Sequence, residues 1–175
     1  MLFWHLAGTL WLFRWVFRDP NVDVRFLALG AMLPDLIDLP ASLVAGLDGR
    51  AWAHSLLFAS LVMALVLVVL RRGDRRRQWM ALAVGVFFHL LLDGMWVEGE
   101  TLFYPFLGLA FAEGGDSWGA GGVHLASWWT WAGEVFGLGY LWWVWVQSGL
   151  GDAGRRAVFR ASGRLSALEP DADLP

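Results

Sequence analysis

The sequence has 175 residues, of which 58% are hydrophobic and 17% are charged, and its formal net charge is −3. An ordinary soluble domain is charged at about a quarter of its positions. The apolar residues here come in long runs and do not alternate with polar ones, which is typical of a membrane protein. Cysteine is absent, which excludes disulfides, thiolate metal ligands and a cysteine nucleophile.

The first half of the chain contains three apolar segments of unequal length. Residues 1–17 form the first segment, and a turn signal over residues 19–21 follows it. Residues 22–33 form a short second segment, which we expect to be interrupted at Pro34. Residues 51–70 form the third, a full-length span that ends at an arginine-rich loop.

The second half contains two long apolar segments with a short one between them. Residues 79–97 form a further span, and residues 123–147 form the last one, which is dense in tryptophan. The stretch 101–112 is apolar but too short to cross a hydrocarbon core of about 30 Å at about 1.5 Å per residue. We expect it to be re-entrant or interfacial, with a glycine-rich loop over 113–122 behind it.

These segments predict an all-α fold, a polytopic transmembrane helical bundle of about five spans. Residues 1–149 form the transmembrane domain, and residues 150–175 form a polar cytoplasmic tail. The loop 71–77 carries five arginines, whereas the stretch 98–122 has acidic side chains and no basic one. The positive-inside rule then places the N-terminus outside and the C-terminus in the cytoplasm. We therefore expect a multi-pass protein of a bacterial-type cytoplasmic (inner) membrane.

Ionisable side chains inside apolar segments are costly, so each of them is a candidate functional residue. Two residues four apart share one helix face, and His89 with Asp93 has this spacing. Counted from the cytoplasmic boundary, the six best candidates lie at depths of roughly 14–24 Å, and the predicted topology gathers them in the outer half of the membrane. These six residues are His5, Asp35, Asp38, His54, His89 and Asp93.

Three histidines and three aspartates without cysteine suit a divalent metal, zinc first, with manganese or iron as further possibilities. Six potential ligands also allow two metals. A metal in such a pocket makes a nucleophile of bound water. The predicted catalytic residues are Asp35 or Asp38, whichever does not ligate and acts as base, and Arg50, which could bind a phosphate.

Structural interpretations of the same residues stay open at this point. Asp35 could cap a helix after Pro34, Asp38 could pair with Arg50, and His89 with Asp93 could form a metal-free hydrogen-bonded pair or a proton relay. Outside the cluster, Glu134 is expected to be an interhelical polar group and His124 an interfacial side chain. The tryptophans of the last segment are expected to form interfacial belts.

Short motifs follow one another in a fixed order in the first two thirds of the chain. They are GAMLPDLID at 30–38, RAWAHSL at 50–56, HLLLD at 89–93 and LFYPF at 102–106, with His5 ahead of them. With this ordered set the chain resembles the membrane-bound predicted metal-dependent hydrolases, also described as LexA-binding, inner-membrane-associated hydrolases. That family is distantly similar to zinc-dependent phospholipases C.

The resemblance covers residues 1–108 and implies a metal site. The residues that it assigns to this site are Asp35, Asp38, His54, His89 and Asp93, together with His5. The family often has a histidine immediately before the arginine of its HR…HS motif, whereas Gly49 precedes Arg50 here. This departure removes one potential ligand or acid from the set.

Two functions follow from these observations. The first is a membrane-embedded metal-dependent hydrolase, phospholipase-like, that acts on a phosphoester of a lipid or lipid-linked substrate. The alternative is a non-enzymatic membrane protein, either a metal or proton translocator or a scaffold, that uses the same buried cluster. The segments 56–70 and 79–88 are nearly all apolar, which disfavours a polar path across the membrane. The arginine-rich loop is explained by orientation and by membrane lipids, and no nucleic-acid partner is expected.

Overall fold

A computed structural model describes residues 1–45, 50–111 and 128–166. Over these residues the chain is all-helical, with no strand, which confirms the predicted fold class. Two short 3₁₀ turns, Trp52–His54 and Met95–Val97, interrupt the series. The helices are α1 (Leu2–Val16), α2 (Val24–Ala45), α3 (Leu56–Val69), α4 (Asp74–Leu92), α5 (Gly99–Leu102), α6 (Trp128–Gln147) and α7 (Ala153–Ser162).

Among the described residues, no helix is both long enough and apolar enough to cross a bilayer. The arrangement of about five spans and the terminus orientation therefore stay predictions. Several predicted features lie outside the described residues. They are Gly49, the glycine-rich loop 113–122, His124 with the start of the last apolar segment, and the end of the tail from residue 167.

Helices α2 and α4 pack together more extensively than any other pair. The cause is a pair of glycines at their crossing. A Cβ at Gly30 would overlap the backbone of Leu82, and a Cβ at Gly85 would overlap the backbone of α2 at Leu27. Only glycine permits such a close approach of two helix backbones. The contact lies one turn before Asp35 on α2 and one turn before His89 on α4, so it sets the distance between these two side chains.

The predicted interruption at Pro34 is wrong, because α2 continues through both Pro34 and Pro40. A proline inside a helix removes one backbone hydrogen bond and disfavours the helix locally. Pro34 is fully buried and follows the close contact of α2 with α4, and we attribute the continuity of the helix to this packing. Asp35 is thus a mid-helix residue, and it is not the cap of a restarted helix.

The third apolar segment also differs from the prediction. Helix α3 begins only at Leu56, because the Ser55 hydroxyl accepts a hydrogen bond from the Phe58 amide (3.1 Å) and caps the helix. His54 therefore belongs to the 3₁₀ turn before α3, and it does not lie one turn inside a helix. This turn faces α2, and it carries His54 into the buried interior.

Helix α1 lies against α6 through another close glycine contact. A Cβ at Gly137 would overlap the backbone of Phe3 and Trp4. One turn earlier on α6, the Glu134 carboxylate accepts a hydrogen bond from the Phe3 amide at 3.0 Å. An acidic group at a helix N-terminus satisfies an otherwise unpaired amide and the helix dipole. Glu134 thus has the interhelical role that the sequence predicts, and it fixes the start of the helix that carries His5.

The polar tail is not structureless over its described part. Asp152 caps α7 by accepting a hydrogen bond from the Arg155 amide at 2.9 Å, and Gly163 ends the helix with φ of 70°. These are usual start and stop signals of a helix. The Gly163 carbonyl accepts a hydrogen bond from the Val24 amide at 2.8 Å. Helix α7 is therefore attached to the beginning of α2.

Candidate metal centre

Five of the predicted site residues meet at one end of the bundle, which we call the histidine end. They come from α1, α2, the first 3₁₀ turn and the C-terminal end of α4. The three imidazole side chains are almost fully buried, with exposed fractions of 0–1%, whereas the Asp93 side chain is 11% exposed and the Asp35 side chain 37%. The five residues are His5, Asp35, His54, His89 and Asp93.

In each of the three histidines, the Nδ1 atom is in hydrogen-bond contact with an oxygen. His54 Nδ1 lies 2.7 Å from the Asp38 carboxylate, His89 Nδ1 lies 2.6 Å from the carbonyl of Ala31, and His5 Nδ1 contacts the carbonyl of Met1. Because each of these oxygens can only accept a hydrogen bond, the ring proton must lie on Nδ1. The hydrogen-bond partners thus assign the tautomer in which each Nε2 carries a lone pair.

The Nε2 atoms point toward one another and toward Asp35. His54 Nε2 and His89 Nε2 are 3.2 Å apart, and they lie 3.3 Å and 3.5 Å from Asp35 Oδ1, respectively. Two lone pairs at this distance repel each other unless a cation or a proton lies between them. In a tetrahedral zinc site with bonds of about 2.0–2.1 Å, neighbouring ligand atoms lie about 3.3 Å apart. The three atoms therefore have the spacing of one face of such a site.

His5 and Asp93 complete the cluster on the other side. His5 Nε2 lies 3.5 Å from Asp93 Oδ1, and the His5 ring stacks on the His89 ring with centroids 4.3 Å apart. Among the described residues, His5 Nε2 is one of only three buried side-chain polar atoms with no hydrogen-bond partner. Such an orphaned atom calls for an explanation, and a cation bound to its lone pair would supply one.

Two sets of ligand atoms meet the spacing of a metal site within the described residues. One set combines His5, Asp35 and His89, and the other combines His54, His89 and Asp93. All atoms of a set lie within 4.8 Å of one another. Because both sets use His89, the cluster can hold one ion with shared ligands or two neighbouring ions.

Asp38 is placed differently from the other predicted ligands. Its side chain is fully buried, and its oxygens accept hydrogen bonds from the amides of Ala51, Ala53 and His54 at 2.8–3.2 Å. The fourth donor is His54 Nδ1. Asp38 therefore fixes both the turn that carries His54 and the orientation of its ring.

Arg50 lies at the rim of the cluster, and it does not pair with Asp38. Its Nη2 atom lies 2.7 Å from Asp93 Oδ2, and its Nη1 atom contacts the Glu98 carboxylate. The sequence does not predict Glu98 as a neighbour of the site. No spacing signal points to it, because its approach depends on the left-handed turn at Gly94 (φ 68°) and the second 3₁₀ turn.

Helix α1 is held at this site by two further contacts. The Trp4 indole donates to the carbonyl of Leu92 at the end of α4 (3.2 Å), and Gly8 lies where a Cβ would press against the Leu92 side chain. Asp93 follows directly, and its amide donates a hydrogen bond to the His89 carbonyl at 2.9 Å, the last turn of α4. His89 and Asp93 thus keep the i, i+4 relation that the sequence predicts.

A second polar cluster lies at the opposite end, which we call the arginine end. Asp23 is buried, and its carboxylate accepts two hydrogen bonds from the Arg25 guanidinium at 2.7 Å and 3.0 Å. Burial acts to raise the pKa of Asp23, but the hydrogen bonds and charge of Arg25 outweigh it and hold that pKa below its ordinary value. Gly163 of the α7 end packs directly on this carboxylate.

Comparison with known proteins adds one match. The family described as YdjM inner membrane protein matches residues 1–159, which include the whole histidine cluster. No curated protein and no solved structure matches the chain. The family description names a membrane location and no reaction.

Proposed function

Because the chain belongs to the YdjM inner membrane protein family, we propose that it is a multi-pass inner-membrane metallohydrolase. Its histidine end is the metal centre, and its substrate is a phosphoester of a lipid or lipid-linked molecule. The hydrolase activity, the metal and the similarity to zinc-dependent phospholipases C are all parts of this proposal.

One observation carries the proposal: the buried imidazoles aim their Nε2 lone pairs at each other. With His54 Nε2 and His89 Nε2 only 3.2 Å apart and both Nδ1 protons committed elsewhere, a cation between them removes the repulsion. The partnerless His5 Nε2 fits the same explanation. Nitrogen and carboxylate donors without sulfur favour zinc, with manganese or iron as alternatives.

The ligands that we assign are His5, Asp35, His54, His89 and Asp93. A divalent ion held by them would polarise a phosphoryl oxygen and bring the pKa of a bound water toward neutrality. The direct-ligand role predicted for Asp38 stays a prediction. Its contacts favour an orienting role, because a carboxylate on Nδ1 fixes a ligating histidine and strengthens its Nε2 as a donor.

Arg50 and Asp35 face the side from which a substrate would arrive. Arg50 is 19% exposed, and its guanidinium can exchange Glu98 for a substrate phosphate, for which its planar fork is well suited. Asp35 is the most exposed member of the cluster. A carboxylate at this position can accept a proton from an attacking water when it does not ligate.

The surroundings of this opening favour a lipid substrate. On α2, Leu36, Ile37 and Leu39 flank Asp35 and Asp38 and are exposed, and so is Trp52 of the 3₁₀ turn. Exposed apolar side chains also occur along α1, α3 and α6. Examples are Trp11, Trp15, Leu61, Leu65, Val68, Val69, Phe136 and Trp142. Surfaces of this kind are rare on soluble monomers and common where lipid is the solvent.

The experiment that tests the proposal is elemental analysis of the detergent-purified full chain, followed by phospholipid turnover assays. We expect one or two equivalents of metal in the wild type and a loss of metal and turnover in His89→Ala. The matched control is Asp74→Ala, which removes an exposed carboxylate at the other end of the same helix. A metal-loaded protein whose His89→Ala variant hydrolyses lipid as fast as the wild type would overturn the hydrolase assignment.

A metal-free interpretation has one specific observation in its favour. The 3.2 Å separation of the two Nε2 atoms also suits a hydrogen bond in which one imidazole carries an extra proton, balanced by Asp35 and Asp38. The cluster would then store or pass a proton in a non-enzymatic membrane protein. Protein that stays free of metal after reconstitution with zinc, manganese and iron would establish this interpretation.

A further inference from the structure

A cavity of about 440 Å³ lies at the arginine end, between α1, α6 and the connection from α1 to α2. This volume is within the usual range for small-molecule sites, about 300–1,000 Å³. On α1 the cavity begins at Leu10 and Arg14. Arg14 is nine residues beyond His5, about 14 Å along the helix, so the cavity is separate from the metal centre.

Three arginines line this cavity. Arg14 and Arg18 are exposed, and neither has a carboxylate partner among the described residues. Arg18 has a positive φ of 51°, so the chain turns sharply at that point and leaves α1. The third, Arg155 of α7, lines the same cavity and donates to the carbonyl of Ser148 at 3.4 Å.

Among the described residues, the one carboxylate in the lining does not cancel the charges of Arg14 and Arg18. Asp19 is paired with Arg77, with the carboxylate oxygen 2.9 Å from Nη2, and it also accepts a hydrogen bond from the Asn21 amide. Arg14 and Arg18 therefore give the described lining an excess of positive charge. Guanidinium groups in this arrangement are typical binding partners of phosphate oxygens.

The lining also contains apolar and aromatic side chains. Leu10, Val24, Trp143 and Val144 line the same cavity as the arginines, together with a few uncharged polar residues. A cavity with this mixed lining accommodates a molecule that has both a charged phosphate and an apolar body. Basic pockets between helices at the cytoplasmic side of a membrane bind lipid headgroups in this way.

We propose that this cavity is a phosphate-binding site formed by Arg14 and Arg18. The phosphate belongs either to the headgroup of an anionic lipid or to a soluble phosphate compound. The site is independent of the metal centre, because its residues lie on the opposite end of α1 and on α6 and α7.

The test is native mass spectrometry of the detergent-purified full chain, titrated with phosphatidylglycerol, with phosphatidylcholine and with inorganic phosphate. We expect one phosphatidylglycerol per chain at concentrations where phosphatidylcholine does not bind. The Arg14→Gln/Arg18→Gln double variant should weaken this binding about tenfold or more, because it removes two positive charges that attract the phosphate. The Arg14→Lys/Arg18→Lys variant keeps the charge and should retain most of the affinity, which separates lost binding from misfolding.

The matched control is Arg71→Gln/Arg72→Gln, which removes the same charge from the exposed loop before α4, outside the cavity lining. Lipid binding within about twofold of wild type is expected for this variant. If both glutamine variants lost phosphatidylglycerol binding equally, the binding would depend on general surface charge, and the proposed site would be overturned. Binding of inorganic phosphate through Arg14 and Arg18, without a preference for phosphatidylglycerol, would support the site and assign it to a soluble phosphate compound.

Discussion

The two ends of the bundle hold their ionisable side chains in different ways. At the arginine end two aspartates are paired with arginines, Asp23 with Arg25 and Asp19 with Arg77. Arg14 and Arg18 have no carboxylate partner among the described residues. At the histidine end, five side chains converge, and the described cation nearest to them, Arg50, lies at the rim. A carboxylate paired with an arginine is satisfied, whereas convergent lone pairs or arginines without a carboxylate partner require something to bind. The lone pairs suit a cation and the arginines an anion, so the distribution of donors and acceptors, more than the number of charges, identifies a binding centre.

The largest expected effect comes from the close contact between α2 and α4 at Gly30. A methyl group at Gly30 would overlap the backbone of Leu82, which cannot move aside as a side chain could. We expect Gly30→Ala to lower the free energy of unfolding by about 2–4 kcal/mol, with loss of bound metal. Thermal unfolding and metal content measure both effects.

The control for this variant is Gly139→Ala in α6, where a Cβ meets only open space. It should leave stability unchanged or raise it by up to about 1 kcal/mol, because alanine favours a helix over glycine. A Gly30→Ala protein as stable as this control would mean that α2 and α4 do not set the spacing of Asp35 and His89.

The next effect concerns the histidine end alone. In Asp38→Asn, an amide NH₂ would face the backbone amides and the His54 Nδ1 proton that the carboxylate now accepts. We expect the affinity for metal to fall about 10–100-fold, measured by competition with a chelator. Asp74→Asn, an exposed change on α4, should leave the affinity as it is. Complete loss of metal would instead make Asp38 a direct ligand.

The comparison predicts an acid-sensitive contribution at the arginine end. The pKa of Asp23 is lowered in the folded protein, so its stabilisation is complete above the ordinary pKa of about 3.9. It is lost as the pH falls through the lower, folded-state pKa. We expect Asp23→Asn to lower the free energy of unfolding by about 1–2 kcal/mol at pH 7. This difference from wild type should vanish at strongly acidic pH. Denaturant unfolding at several pH values checks this, and metal content at pH 7 should not change.

The smallest expected effect lies in the turn that carries His54. Ser55→Ala removes the hydroxyl that caps α3 and should lower stability by about 1 kcal/mol. Because Asp38 still holds the turn, metal affinity should change by less than about tenfold. If Ser55→Ala lost more metal than Asp38→Asn, the helix cap at Ser55, and not the Asp38 carboxylate, would be the group that orients His54.

The sequence predicts the helical class and the shared face of His89 and Asp93 because both depend on local periodicity. The partner of Arg50 could not be predicted in the same way. Its contacts with Asp93 and Glu98 depend on how the chain turns after α4, which no local spacing encodes. Helix α7 could have been found, since Asp152 and Gly163 are ordinary start and stop signals. The interruption predicted at Pro34 is wrong because tertiary packing overrides the local preference of proline.

The cap that Glu134 places on α1 has a consequence for the order in which the molecule is assembled. Every ligand of the proposed centre is synthesised by residue 93, yet the first turn of α1, which carries His5, is capped by a side chain of α6. During synthesis, α2, the first 3₁₀ turn and α4 can come together before α6 leaves the ribosome, since chains fold from the N-terminal part onward. The contact of Trp4 with Leu92 can place α1 at the site first, and the Glu134 cap then completes the first turn that carries His5.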